Sequence, residues 1–278
     1  MTESSCLNLC EVADNLYEAY ESIDNIVTSA EKRQGVKHYA RIYIGSNFCS
    51  QYFLNLSQIL LEKISEYASK ENIKVTLVLP VFTEKNLERA KSSIDKYMAI
   101  LGKVLDEITV NDYGMLEHIA STYKEIGINM GRLFMKDYRD PRYPKYFEVA
   151  LKPRIFTKYL DELIKTYGIT GMEFDPTHME IDFEGKPQHI EIGLHEPYCY
   201  MTVGQICEFA SIHKDISQKF RPNSLCEREC MTNRIKYFNE DDREWLRIGK
   251  TIYFKNEPQI SGIEKIRKIY FPIDMEEK

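Results

Sequence analysis

The sequence predicts an α/β fold, in the form of a complete or incomplete TIM-like (β/α) barrel with an irregular C-terminal segment. Short β-rich apolar stretches alternate with longer segments whose apolar residues recur at helical spacing, a pattern typical of parallel sheets with helical crossovers. The length of 278 residues is near the about 250 residues of a complete barrel. A doubly wound open sheet gives the same alternation and is the alternative.

The elements follow from apolar periodicity and from the residues that interrupt it. Gly45 ends the first strand candidate and Pro80 ends the next, while Thr83 is a candidate N-cap for the helix that follows. The pattern predicts an opening helix at about 12–32; strands at 38–45, 73–80, 105–110, 127–134, 169–175 and 188–194; helices at 49–72, 83–101, 114–123 and 154–167; and short strand candidates at 251–257 and 266–274.

The chain shows no fixed repeat, low-complexity run or clear linker, so we expect one barrel-like domain over 1–278. Within it, residues 1–36 are expected to form an N-terminal helical lead and residues 240–278 a segment that covers the barrel. The net charge of −6 argues against a broad phosphate-binding surface. The sequence has neither an apolar signal peptide core nor an apolar run long enough to cross a bilayer, which predicts a cytoplasmic protein without a membrane span.

Four of the seven cysteines are candidate metal ligands. Cysteine thiols stay reduced in the cytoplasm, so disulfide bonds do not explain the presence of these cysteines. Cys49 follows a predicted strand end, Cys207 follows an extended stretch, and Cys226 and Cys230 lie four apart in the polar sequence SLCEREC. On a helix, that spacing would place both thiols on one face. Four such thiolates can hold zinc or an iron–sulfur cluster, although each cysteine could equally be a small buried side chain.

Three stretches resemble a known family. IYIGSNFCSQYF (42–53), LDEITVNDYGMLEHIA (105–120) and GQICEFASIHKDISQKFRPNSLCEREC (204–230) are similar to landmarks of the TIM-barrel proteins classed as collagenase-like peptidases of unassigned mechanism. The closest similarity is to the branch that contains anaerobic, oxygen-independent ubiquinone hydroxylase subunits. The resemblance implies a [4Fe–4S] cluster on Cys49, Cys207, Cys226 and Cys230, with zinc as the alternative. The gap between Cys207 and Cys226 is longer than in that branch, which makes Cys199 a reserve ligand.

The resemblance also implies a function. It suggests an enzyme or enzyme subunit in the oxygen-independent hydroxylation of a small aromatic or RNA substrate, working as a heterodimer with a paralogous family member. A peptidase is the second possibility. A non-catalytic partner with a structural zinc or cluster site is the third. The sequence contains no G-x-G-x-x-G, P-loop, H-E-x-x-H or G-x-S-x-G motif, so the usual nucleotide, zinc-protease and serine-hydrolase sites are not predicted.

Other polar residues are weaker candidates. Arg132, Arg139 and Arg142 surround a strand end and suit an anionic substrate, although a loop with ion pairs to Asp137 and Asp140 explains them as well. Glu173 and Asp175 share one face of a predicted strand and, with His178, could bind a metal; His195 could act as an acid–base group or lie behind the cluster. Cys6 and Cys10 are expected to be incidental thiols in a frayed N-terminus.

Overall fold

A computed structural model describes most of the chain. The described residues are 4–135, 139–140, 154–175, 177, 180–222, 226–238, 243–256, 263 and 266–276. No helix within these ranges is both long and apolar enough to cross a membrane.

Eight parallel strands close into a barrel. They are β1 (Ser4–Asn8), β2 (Arg41–Gly45), β3 (Lys74–Val78), β4 (Leu105–Val110), β5 (Gly127–Met130), β6 (Ile169–Phe174), β7 (Glu191–Glu196) and β12 (Ile266–Tyr270). The strands follow one another in chain order around the barrel, and β12 closes it between β7 and β1. The predicted α/β barrel is confirmed at this level, and the closure excludes the open sheet.

Helices cover the outside of the strands. Described helices are α1 (Ala13–Tyr20), α2 (Ile23–Gln34), α3 (Ser50–Leu54), α4 (Gln58–Glu71), α5 (Leu87–Leu101), α6 (Tyr113–Thr122) and α7 (Lys158–Tyr167). Ser57 caps α4 by accepting the Leu60 N–H, so the single helix predicted at 49–72 is two helices joined by a short turn. Hydroxyl and carboxylate caps start α2, α6 and α7 in the same way.

A second sheet is inserted between the last two barrel strands. Its strands are β8 (Tyr198–Val203), β9 (Arg234–Phe238), β10 (Glu244–Ile248) and β11 (Thr251–Lys255), antiparallel in the order β8–β11–β10–β9. The C-terminal region is therefore more regular than the sequence predicts. Most of 243–255 belongs to this sheet, and 266–270 complete the barrel rather than cover it.

The N-terminus differs from the prediction. Residues 4–8 form the first barrel strand, and the predicted frayed end is wrong: Cys6 is 1% and Cys10 0% exposed. Both thiols pack inside the barrel with Tyr43, Val78 and Ile269. A five-residue strand with serine and asparagine at its ends carries little periodic signal, which is why the sequence did not reveal it.

The barrel interior is unusually polar. Glu107 accepts hydrogen bonds there from Thr76 at 2.8 Å and from Arg267 at 2.5 Å. One layer closer to the carboxyl ends, Glu173 accepts from Thr109 at 2.7 Å and pairs with His195 Nε2 at 2.8 Å. Because these charged groups pair with one another, they can be buried without leaving unpaired charges.

Candidate metal centre at the barrel mouth

Cys49 lies just beyond the carboxyl end of β2. Gly45 makes the turn with φ 124°, and a Cβ there would stand 2.3 Å from the Val78 carbonyl oxygen, so only glycine fits. The Cys49 N–H donates to Ser46 Oγ at 2.7 Å, and Cys49 Sγ accepts from the Tyr52 N–H at 3.4 Å as the N-cap of α3. The backbone therefore fixes the direction of this thiol.

The inserted sheet carries the other three candidate ligands. Cys207 follows β8, while Cys226 and Cys230 precede β9. Together with Cys49 they line one cavity of about 60 Å³ beside the carboxyl ends of β1, β2 and β12. This is several times the space that one water needs. It lies at the end of the barrel where active sites of such folds are found.

The segment from Cys226 to Cys230 is not the helix that the spacing suggested. Arg228 has a left-handed φ of 64°, and only a short 3-10 turn follows at Glu229–Met231. Cys226 Sγ accepts from the Arg228 N–H at 3.2 Å, and the Glu227 N–H donates to Glu229 Oε2 at 3.2 Å. The two thiols reach the same cavity because the backbone turns back on itself between them.

Glu11 is a cavity residue that the sequence did not reveal. Its Oε1 accepts from Ser46 Oγ at 2.6 Å and from the Phe48 N–H at 2.9 Å, while its buried Oε2 has no hydrogen-bond partner among the described residues. Glu11 has a φ of 62°, a conformation that non-glycine residues adopt at some cost and often near functional sites. The carboxylate thus connects the end of β1 to the turn that carries Cys49. The sequence predicts a helical lead over 1–36 instead of β1, and it therefore does not place Glu11 at the end of a barrel strand.

Burial and mutual repulsion favour protonated thiols when no cation is present. Burial raises the pKa of Cys226 to about 11 and, with help from the neighbouring thiols Cys49 and Cys226, that of Cys230 to about 12. Burial also raises the pKa of Cys49, although the ammonium of Lys250 opposes this shift. A bound metal cation supplies the missing positive charge and turns such thiols into thiolate ligands.

The thiols share the cavity without a preformed single-ion geometry. Among the residues that the structure describes, no group of three His, Cys, Asp or Glu side chains is arranged so that it could hold one metal ion. The cavity walls are otherwise largely apolar, with Phe48, Tyr253 and Phe271 among them. A metal centre here would therefore be shielded from most water.

Cys199, the reserve ligand, lies elsewhere. Its side chain is fully buried in β8, with Sγ 3.5 Å from the Tyr200 carbonyl oxygen and 3.9 Å from Arg139 Nη1. It is not among the residues that line the cavity. Of the two candidates for the second ligand, the structure places Cys207 beside the other three.

Two of the candidate substrate arginines, Arg132 and Arg139, form ion pairs with the buried Asp175. Arg132 Nε donates to Asp175 Oδ1 at 2.9 Å, and Arg139 Nη1 donates to Asp175 Oδ2 at 2.8 Å. The Arg139 guanidinium also stacks 3.7 Å from the centre of the Tyr200 ring. Although burial opposes ionisation, the two guanidiniums hold the pKa of Asp175 far below its usual range. Arg142, Asp137 and His178 lie outside the described residues.

Glu173 and His195 form a second buried pair, deeper in the barrel. The His195 side chain is fully buried, and its Nδ1 has no hydrogen-bond partner within the described structure. Burial, together with the nearby Arg132 charge, lowers the pKa of His195, although Glu173 opposes this shift. The carboxylates of Glu173 and Asp175 thus bind other protein side chains. These two residues do not form the metal site that the sequence suggested for them together with His178.

No protein-family model matches the chain, and a search of curated proteins found no relative.

Proposed function

We propose that this chain is an iron–sulfur protein in which Cys49, Cys207, Cys226 and Cys230 hold a [4Fe–4S] cluster at the mouth of a TIM-like barrel. The observation that supports the proposal is that thiols from two distant parts of the chain line the same cavity. Four partly buried cysteines placed by chance would not be expected to meet at the carboxyl ends of barrel strands.

The surroundings suit such a group. Thiolates are the ligands of iron–sulfur clusters, and N–H donors to their sulfur atoms, together with low solvent exposure, adjust the reduction potential. The Tyr52 N–H already points at Cys49 and the Arg228 N–H at Cys226. Cys49, Cys207, Cys226 and Cys230, which line one cavity, would hold the cluster. When bound, the cluster would supply one-electron chemistry or a Lewis-acidic iron.

The residues of the chain would hold and shield this centre. Glu11 and Ser46 fix the turn that carries Cys49. Phe48 and Tyr253 exclude water, and the Lys250 ammonium offsets part of the thiolate charge. These are roles of binding, orientation and charge balance, which require no reaction partner to be assigned.

The family resemblance extends the proposal to an activity. It favours an enzyme or enzyme subunit that hydroxylates a small aromatic or RNA substrate without oxygen, in the cytoplasm and paired with a paralogous chain. A structural zinc site is the second candidate, because four thiolates are also a zinc ligand set. The peptidase alternative has no supporting feature at the described cavity, where neither a serine–histidine pair nor a cysteine–histidine pair lines the wall.

Metal analysis of protein purified without oxygen tests the proposal. We expect about four iron and four sulfide per chain and a brown colour. About one zinc per chain without iron would replace the cluster by a structural zinc site. Protein that holds neither metal under these conditions would contradict the assignment of a metal centre. Cleavage of peptides that survives removal of all four cysteines would favour the peptidase.

A further inference from the structure

A loop at 211–220 projects from the inserted sheet close to the thiol cavity. Its two ends are tied together, because the Phe220 N–H donates to Ser211 Oγ at 2.9 Å. At its base, Phe209 and Ala210 are buried. The loop is therefore a compact, anchored projection rather than a loose connection.

Large apolar side chains point away from this loop into solvent. Ile212 is 44% exposed, Ile216 90% and Phe220 56%. Ile216 is the most exposed large apolar side chain in the described part of the protein. Single exposed apolar residues are ordinary on protein surfaces, but three within ten residues of one loop indicate an interaction site.

The backbone conformation gives an independent indication. Phe220 has a left-handed φ of 55°, which is rare for a bulky aromatic residue and is unfavourable. Its ring is not packed into the core in return for this cost. Such strain is typical of positions whose geometry serves binding rather than stability.

The charges around the loop differ from those of the whole chain. Lys214, Lys219 and Arg221 lie within or next to it, against a single carboxylate at Asp215, although the chain as a whole has a net charge of −6. Cations that alternate with exposed isoleucine and phenylalanine are the composition that binds the interface of an anionic bilayer.

We propose that residues 211–220 form a membrane-docking loop, which inserts Ile216 and Phe220 into the surface of an anionic lipid bilayer while its cations meet the headgroups. The excess of cations over carboxylates in and beside the loop favours an anionic lipid surface. Binding through two or three inserted side chains is expected to be weak and reversible.

Docking through this loop would also orient the protein. Cys207, Ala210 and Arg221 lie at the base of the loop and line the thiol cavity. The cavity would therefore lie beside the docked loop. The proposal concerns only the surface and does not depend on the presence of a cluster.

Sedimentation with lipid vesicles tests whether the loop at 211–220 binds a bilayer. Full-length protein is mixed with vesicles of phosphatidylcholine alone, or of equal parts phosphatidylcholine and phosphatidylserine. The test variant is Ile216→Asp with Phe220→Asn, since asparagine tolerates the left-handed backbone. The matched control is Ile59→Asp on α4, where the isoleucine is 67% exposed. Circular dichroism verifies that both variants are folded.

We expect the wild type and Ile59→Asp to sediment with the anionic vesicles. We expect the double variant to bind the same vesicles at least about tenfold more weakly. Added salt should weaken the binding of the wild type. Failure of the wild type to bind anionic vesicles would overturn the proposal, as would equal binding by the double variant. Self-association of the wild type that the double variant abolishes would assign the loop to a protein interface instead.

Discussion

Arg228 and Asp14 form a two-point ion pair between parts of the chain that are 214 residues apart, with Nη2–Oδ2 and Nη1–Oδ1 distances of 2.7 and 3.2 Å. The Arg228 guanidinium also lies 4.8 Å from the centre of the Tyr52 ring, and the Tyr52 hydroxyl donates to the same carboxylate at 2.7 Å. This contact fastens the segment between Cys226 and Cys230 to α1 and α3. It therefore holds the late pair of thiols against the turn that carries Cys49.

Replacement of Arg228 by alanine should loosen this segment. We expect a loss of about 1–2 kcal/mol in the free energy of unfolding, because a two-point charged contact with partly exposed side chains is removed. If the proposed cluster is bound, iron content should fall several-fold more than the loss of stability explains, since the two candidate ligands Cys226 and Cys230 lose their fixed position. Arg228→Lys keeps the charge but loses the planar guanidinium, so its stability and iron content should lie between those of the wild type and the alanine variant. Iron content equal to that of the wild type in the alanine variant would contradict the role of this contact.

Glu11 should act on Cys49 through hydrogen bonds. Glu11→Ala removes the acceptor of the Ser46 hydroxyl and the nearer of two acceptors of the Phe48 N–H, whose other acceptor is Ser46 Oγ at 3.3 Å. This change should lower stability by about 1–3 kcal/mol and reduce iron loading. Glu11→Gln retains one carbonyl oxygen for the same donors and should load iron nearly as well as the wild type. Iron determination on both variants makes the comparison. If the glutamine variant loads as poorly as the alanine variant, the charge of Glu11, rather than its position, is what matters.

The cluster of Asp175 with Arg132 and Arg139 should contribute to folding. The side chains of Arg132 and Asp175 are 1% and 0% exposed, so Asp175→Asn removes the negative charge that pairs with the buried Arg132 guanidinium. We expect a loss of about 3–5 kcal/mol in the free energy of unfolding. The control is Lys63→Ala, which breaks an ion pair whose side chains are 46% and 67% exposed and should cost less than about 1 kcal/mol. Urea denaturation measures both, and equal effects would rule out a structural role for the buried cluster.

His195 should make the protein less stable in mild acid. An unfolded histidine titrates near about pH 6.5, whereas burial lowers the pKa of His195 in the folded protein. Below that pH the unfolded chain takes up a proton that the folded protein does not, so stability falls as pH falls, by up to about 1.4 kcal/mol per pH unit. His195→Gln removes this contribution. Denaturation at about pH 7.5 and about pH 5.5 should show a smaller loss in the variant; parallel losses in both proteins would exclude His195 as the source.

The sequence identified the barrel where strands carry long apolar runs. The predicted strands at 73–80 and 105–110 correspond to β3 and β4, because buried parallel strands are apolar on both faces. The sequence did not identify β1 as a strand, and it identified β12 as a strand candidate but not as part of the barrel. Their inward positions carry polar side chains. Asn8 accepts from the nearby Cys10 N–H, whereas Arg267 pairs with Tyr43 and Glu107 on distant strands. Pairing of this kind is visible only after the barrel has closed.

The candidate site was predictable in its residues but not in its geometry. Residue type and spacing made the cysteines candidates, and the family resemblance implied Cys49, Cys207, Cys226 and Cys230, all of which line the cavity. The choice between Cys199 and Cys207 depended on strand register, since Cys199 pairs with Phe254 inside the inserted sheet. The contribution of Glu11 depended on a left-handed backbone, for which the sequence gives no signal at a glutamate.

The central claim is tested most directly by comparing Cys226→Ala with Cys199→Ala, each purified without oxygen beside the wild type. Iron, sulfide and visible absorbance are measured for all three. We predict that the wild type and Cys199→Ala carry equal iron and sulfide, and that Cys226→Ala loses most of both while remaining folded. Equal iron and sulfide in Cys226→Ala and the wild type, or loss of both in Cys199→Ala alone, would contradict the assignment of the four thiols at the barrel mouth.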